Sequence, residues 1–262
     1  MKDFTVHQYA ELLITLGKRG YGFQRVEDCF LNSQHSSVIL RHDVDLRSYA
    51  ALRLAKAEAS LGIKSTYYFR TVKQSYNPKI IEEIADMGHE IGYHYEDLAV
   101  HMGNFCLAIK SFEKNLDLIR KFYPVKTVCM HGCSGSPYDN RDLWKKYKLE
   151  DFGLICEPYL SIDYNKVLYL SDTGRCWNGF KMSLRDNVKS AYDFNFHGTQ
   201  DILNAIDKLP AQILFTAHPE QWVDNLPEWL FVKAFSMVHT FYKVHYRNKK
   251  VVREQGTVSR DQ

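Results

Sequence analysis

A closed or nearly closed β/α barrel is the fold this sequence predicts, on three observations. Short apolar, β-branched or aromatic runs alternate with longer segments of helical periodicity. About seven such runs can be counted, and most of them end on a titratable residue. Strand–helix alternation implies a parallel sheet with right-handed crossovers. Seven or so strands favour closure over an open doubly wound sheet. No G-x-G-x-x-G or P-loop follows the first strand, which counts against dinucleotide and phosphate-cradling readings.

Each element has its own signal. An opening helix spans Thr5–Arg19, and Val38–Leu40 is the first strand. Arg47–Leu61 follows, with Ala50, Leu54, Ala57 and Leu61 at helical spacing. Thr66–Phe69 reads as a strand, and Pro78–Met87 as a helix with Pro in its first turn and Gly88 past its end. Glu90–Tyr93 is the third strand. Asn104 caps a long helix whose Phe105, Ile109, Phe112, Leu116 and Ile119 form one apolar stripe. Thr127–Met130, Phe152–Ile155, Val167–Leu170 and Gln212–Thr216 complete the strands. Asp142–Tyr147 is a short helix, and Thr199–Leu209 a helix stopped by Pro210. Leu226–Tyr246 is a closing helix carrying Trp229, Phe231, Phe235, Phe241, Tyr242 and Tyr246. Its aromatic faces either pack on the barrel, the favoured reading, or form a dimer face. Residues 1–262 read as one domain, with 1–36 a helical extension and about 250–262 a loose tail.

Composition bounds the function. The 262 residues are 45% apolar and 25% charged, which is globular usage, and a chain this long needs no disulfide or metal staple to fold. A net charge of +3 from 34 basic and 31 acidic residues gives no argument for nucleic acid or an anionic membrane. The longest apolar runs are too short to span a bilayer, and MKDFTVHQYAELLITLGKRG lacks the layout of a signal peptide. With six dispersed cysteines, the expectation is a cytoplasmic protein with reduced thiols. Cys129 and Cys133 are four apart, neither a C-x-x-C pair nor half of a zinc ribbon. The 14% aromatic share reads first as core and second as sugar-stacking surface.

The informative feature is positional. Chemistry in β/α barrels collects at the C-terminal ends of the strands. Here VIL gives way to Arg41-His42-Asp43-Val44-Asp45, TYYF to Arg70, EIGY to His94, TVCM to His131, GLIC to Glu157, and ILFTA to His218. Singly, each has a plain structural reading. Asp43 or Asp45 caps the helix near Arg47, Glu157 caps a turn before Pro158, Arg70 is an ion-paired loop residue, and each His is a hydrogen-bonded core residue. Together, two carboxylates and three histidines at one mouth suit a shared divalent cation with open positions. A second, non-ligating Asp would then take a proton from water, and an imidazole opposite would protonate a leaving group. That inventory is a metal-assisted hydrolase.

The stretches RHDVD, MGHEIGYH, HGCSGSPYDN and LFTAHPEQW, in this order, resemble the polysaccharide deacetylases, the NodB-homology or carbohydrate esterase family 4 proteins. The resemblance runs from about Val38 to Trp222. It implies a distorted (β/α)7 barrel and hydrolysis of an N-acetyl group on an amino sugar. It also implies one divalent metal ion, zinc first, with Co, Mn, Fe or Ni as alternatives. By resemblance Asp43 is the catalytic base, Asp45 and His94 are metal ligands, and His218 is the general acid. Ser136-Pro137-Tyr138 resembles the segment that lines the groove, and Arg70, Tyr138, Glu157 and Trp222 are the candidate substrate-binding residues. Two positions depart from the family. Its second ligand histidine, four residues after the first, is here Leu98, and the arginine that opens its third motif is here His131. His131 is the first candidate for the missing ligand, with Glu96 and His101 behind it. The implied substrate is an N-acetylated sugar, nucleotide- or lipid-linked, on the way to a surface polysaccharide such as O-antigen or capsule. The alternatives are hydrolysis of another linear C–N amide, or a carbohydrate-binding barrel without catalysis.

Overall fold

The computed structural model describes residues 2–32, 34–133, 135–177 and 185–238. Helix α1 (Val6–Lys18) starts where Thr5 accepts a hydrogen bond from the Gln8 amide and Gln8 answers, a reciprocal cap. Strand β1 (Gly22–Gln24) and helix α2 (Val26–Leu31) follow. The barrel proper runs β2 (Ser37–Val44), α3 (Ser48–Ser60), β3 (Thr66–Phe69), α4 (Pro78–Asp86), β4 (Glu90–Tyr95), α5 (Asp97–Val100), α6 (Phe105–Arg120) and β5 (Val128–Met130). It finishes with α7 (Pro158–Ser161), β6 (Leu168–Ser171), α8 (Thr199–Asn204) and β7 (Gln212–Ala217). A last helix occupies 226–238.

All strand pairs are parallel, in the order β5-β4-β3-β2-β7-β6, with β1 added to β2 ahead of β3. The sheet curls into an incomplete barrel. Beyond β5, a bridge between Thr127 and Cys156 adds one more rung. The expected barrel of about seven strands is therefore present, but two members of the count differ. Phe152–Ile155 is not a strand. A 3₁₀ turn over Leu149–Phe152 ends at Gly153 in the left-handed region (φ 67°), which breaks the extended run and leaves only Ile155–Cys156 beside β5. The seventh strand is β1, inside the segment read as purely helical.

The period of two along each strand sorts residues into two compartments. Ile39, Tyr68, Cys129, Tyr169 and Leu214 share the inner cluster. Their chain neighbours pack outward, Val38, Leu40, Ile213 and Phe215 against α1 and α8, and Tyr67, Phe69 and Val128 in the cluster with Ile80, Ile84 and Phe112 of α4 and α6. Gly92 is required by this arrangement. A Cβ there would stand 2.3 Å from the Tyr68 ring, which passes over β4 to reach Thr127. On the outer face of β2, His42 bonds Glu58 of α3 at 2.7 Å, and Glu58 also accepts from Ser65 and the Tyr9 and Tyr67 hydroxyls. That buried knot ties α1 and α3 to β2.

The closing helix is anchored through Trp229, whose indole donates to the Asp3 carbonyl at 2.7 Å, and through buried Val232. Phe231 and Phe235 are exposed. Phe241, Tyr242, Tyr246 and the tail lie outside the described residues. Among the described residues no helix is long and apolar enough to cross a membrane.

Candidate active site

Arg41 and Asp43 share the inner face of β2, because alternate positions of a strand point the same way, and Asp45 is the first residue past its end. Arg41 is fully buried and grips Asp43 with two bonds, Nε to Oδ1 at 2.8 Å and Nη2 to Oδ2 at 2.6 Å. Its guanidinium also lies over the Tyr159 ring, 4.5 Å from the centroid. Burial opposes ionisation of Asp43, but Arg41 and His94 outweigh it and hold the carboxyl below its usual range. Asp45 is not a helix cap. Helix α3 begins without a side-chain cap, Arg47 taking a left-handed φ of 55° to turn the chain.

Asp45 Oδ1 is buried and has no hydrogen-bond partner among the described residues. Two imidazole nitrogens face it, His94 Nε2 at 3.3 Å and His131 Nε2 at 3.6 Å. Each ring is fixed from behind. His94 Nδ1 meets the Cys129 carbonyl at 2.9 Å, and His131 Nδ1 meets Glu96 Oε2 at 2.9 Å. Burial would raise the Asp45 carboxyl, yet His131 and His94 hold it well below the carboxylate range.

This donor set fits a divalent cation. Ligands roughly 2.0–2.2 Å from a tetrahedral zinc stand about 3.3–3.6 Å from one another, and the two distances from Asp45 Oδ1 match that spacing. A bare carboxylate oxygen facing two ring nitrogens whose far sides are hydrogen-bonded is the pattern of a metal site with its supporting shell. Two clusters bring three donors within 4.8 Å of one another, Asp43–His94–Cys129 and Glu96–His131–Cys133, whereas the Asp45 set is defined by its two edges from Oδ1. In both, the carboxylate is already clasped by an arginine, Arg41 or Arg70. Asp45, His94 and His131 are the set left open.

His218 follows β7. Its backbone amide and Nδ1 both bond Asp172, the ring at 2.6 Å, and the Trp222 indole donates to the other Asp172 oxygen at 2.7 Å. Burial would lower the His218 pKa, but Asp172, Asp45 and Asp43 raise it well above the usual value, which favours the protonated ring. Beside it, burial and the Asp45 charge push the Glu220 carboxyl up to about 8. Glu220 also lines a cleft of about 360 Å³ with Leu46, Arg47, Gln74, Phe231, Val232 and Phe235.

The structure brings Asp43, Asp45, His94, His131 and His218 into one electrostatic cluster. Three expected substrate contacts are placed elsewhere. Trp222 has no exposed surface and packs among Phe4, Tyr9 and Trp177, so its ring is closed to a sugar. Glu157 is equally buried and accepts from the Met130 and Leu160 amides, the capping role. Arg70 commits its guanidinium to Glu96, with Nη2 reaching both carboxylate oxygens at 2.7 and 2.8 Å. Tyr138 is 38% exposed and packs on Gly103, where a Cβ would come within 2.3 Å of the ring. Leu98 is 1% exposed in the outer apolar cluster, and His101 is the C-cap of α5.

Sequence reasoning gave no role to Arg41, Asp172, Asp186 or Glu220. Asp172 obeys the same rule as its neighbours, a strand (LYLS) giving way to an acid. Asp186 accepts from the Tyr159 hydroxyl at 2.6 Å and from Ser171, Thr173 and Tyr169, and no local sequence signal marks it.

No family model and no curated protein matches the chain. Solved structures do. The chain is similar in fold to family 4 carbohydrate esterases. One from Streptomyces lividans, in complex with acetate, is 12% identical over 79% of this chain and 90% of that one, with a TM-score of 0.43. A Bordetella bronchiseptica protein provisionally named a polysaccharide deacetylase involved in O-antigen biosynthesis is 13% identical over 86% and 90%, with a TM-score of 0.46. A family 4 pseudoenzyme from Bacillus anthracis is 17% identical over 79% and 60%, with a TM-score of 0.41.

Proposed function

We propose that the protein is a metal-dependent hydrolase that removes the N-acetyl group from an amino-sugar precursor, acting in the cytoplasm. The observation that carries this reading is the bare Asp45 oxygen facing His94 and His131, with an ionised Asp43 and a His218 of raised pKa beside it. Asp45, His94 and His131 would hold the ion. When bound, a divalent cation supplies Lewis acidity for the acetyl carbonyl and acidifies the attacking water.

The chain's own residues divide the proton work. Asp43 Oδ2 lies 3.8 Å from His94 Nε2, next to the donor set but held off it by Arg41. It accepts the proton of the attacking water, and Arg41 keeps it ionised and aimed. His218, in its protonated form, gives a proton to the departing amine nitrogen, so that a neutral amine leaves as the C–N bond breaks. Asp172 fixes the ring and stabilises its cationic form, and Trp222 fixes Asp172. Tyr138 offers the exposed aromatic face for a sugar.

The cleft beside Glu220 favours a lipid-linked over a nucleotide-linked precursor. Its walls include Leu46, Phe231, Val232 and Phe235, and Arg47 among them suits an anionic linkage. The test is acetate release from N-acetylated amino sugars by protein purified without chelator. Turnover should vanish with chelator and return with zinc. Chelator-resistant turnover, or a protein that takes up no divalent cation, would refute the assignment.

A further inference from the structure

The two histidines aimed at Asp45 reach it from different kinds of backbone. His94 sits inside β4, where ladder bonds fix the chain and a backbone carbonyl fixes the ring. His131 is the first residue after β5, a strand of three residues, and it opens a loop carrying Gly132 and Gly135. Its backbone is held, the amide donating to the Tyr95 carbonyl and the carbonyl accepting from Asn140, both at 2.8 Å, but no backbone carbonyl holds its ring as Cys129 holds that of His94. Two ligands four apart on one helix would share a rigid face, but position 98 is a core leucine on the outer side of the barrel.

What holds the ring is a chain of charged hydrogen bonds. Arg70, at the end of β3, donates Nε and Nη2 to Glu96 Oε1 at 3.1 and 2.7 Å, and Nη2 to Oε2 at 2.8 Å. Its Nη1 reaches the backbone carbonyl of Asp45 at 3.3 Å. Glu96 Oε2, so fixed, faces His131 Nδ1 at 2.9 Å and accepts from the Cys133 thiol at 3.3 Å. The thiol itself stands 3.3 Å from the same ring nitrogen. The clasp engages both Glu96 oxygens, which makes Glu96 a support and not a ligand.

We infer that Arg70 and Glu96 are positioning residues that make His131 a metal ligand, so that the chain holds its cation although position 98 is leucine. The inference rests on the proposed metal-dependent function and deepens it. Glu96 presents a carboxylate to the far nitrogen of the ring, which favours the tautomer whose Nε2 is bare and strengthens that nitrogen as a donor. Arg70 prevents Glu96 from swinging towards the cation, and through the Asp45 carbonyl it ties the carboxylate ligand to the imidazole support.

A double-mutant cycle read by zinc affinity, using competition with a fluorescent chelator on the full chain, tests this. Glu96→Ala should weaken zinc binding about 10–100-fold, as loss of a ligand's support does. Arg70→Lys keeps the charge but loses the fork and should weaken it several-fold. In a His131→Ala background, adding Glu96→Ala should change affinity by less than about twofold, because the two act through one interaction. Equal losses in both backgrounds would make Glu96 a ligand or a general structural residue and overturn the inference. An unaffected Glu96→Ala would overturn it too. Ring ¹³C relaxation of His131 in zinc-free protein is the second measurement. Glu96→Ala should mobilise that ring and leave His94 rigid, whereas a ring equally rigid in the variant counts against positioning. If the parent protein binds no zinc but His131 is locked and is freed by Glu96→Ala, the metal-dependent function falls and the positioning stands. If zinc binds tightly and Glu96→Ala does nothing, the reverse holds.

Discussion

His131 Nε2 stands 3.6 Å from Asp45 Oδ1, although 86 residues separate the two in sequence. That oxygen makes no hydrogen bond among the described residues, and His94 approaches it from a second strand. A buried carboxylate oxygen between two imidazoles needs positive charge beside it, either a protonated ring, Asp45 raising His131 to about 10 against its burial, or a metal ion that displaces that proton.

Asp43 and Asp45 should separate in their response to substitution. Asp45→Asn removes the open anionic oxygen and should lose both zinc and turnover. Asp43→Asn should abolish turnover by roughly 10²–10⁴-fold, the usual worth of a positioned base, while zinc stoichiometry stays near that of the parent. Elemental analysis beside acetate release checks both. Equal metal loss in the two variants would make Asp43 a ligand.

The pH profile should report the Asp172–His218 pair. Because Asp172 and the site carboxylates raise the His218 pKa against its burial, activity should be lost as pH rises through that raised value. Asp172→Asn removes the main raising charge, so the alkaline limb of kcat should move to lower pH and kcat should fall. A profile that drops in height without moving its alkaline limb would remove His218 from the general-acid role.

His131→Ala should weaken zinc binding by at least tenfold, and Leu98→His should not repair it. Leu98 is sealed in the outer apolar cluster, so an imidazole there buries polar nitrogens at a cost of about 1–3 kcal/mol. Thermal unfolding of Leu98→His alone, with zinc titration of the double variant, checks this. Recovery of affinity in the double variant would mean that α5 can turn position 98 inward.

Burial pushes Glu90 and Glu157 up to about 7. An unfolded glutamate titrates near ~4.3. Between those values the native state keeps protons that the unfolded chain has lost, so stability falls as pH rises through this window. Glu157→Gln should flatten the fall, its amide oxygen still accepting the Met130 amide, while the Leu160 amide loses its acceptor and lowers the acid end of the curve. Denaturant midpoints across about pH 5–9 measure it. Parallel curves for the parent and the variant would show that Glu157 carries no such burden.

Much of this was legible in the chain itself, for a physical reason. Alternation along a strand and the strand-end rule are local, so RHDVD by itself places Asp43 and Asp45 at one end of the barrel, and EIGYH, TVCMH and ILFTAH bring their histidines to the same end. The same locality put Thr66–Phe69 and the cap at Asn104 where they are found. Only tertiary structure decided who meets whom. Trp222 and Glu157 end buried because the Asp172 carboxylate and the Met130 amide take their polar atoms. Arg70 turns from the mouth to Glu96, and Arg41 supplies the cation that faces Asp43. Side-chain direction and strand order follow from short-range sterics and periodicity. The pairing of a buried charge depends on which loops, dozens of residues apart in the chain, close over it, and no periodicity encodes that.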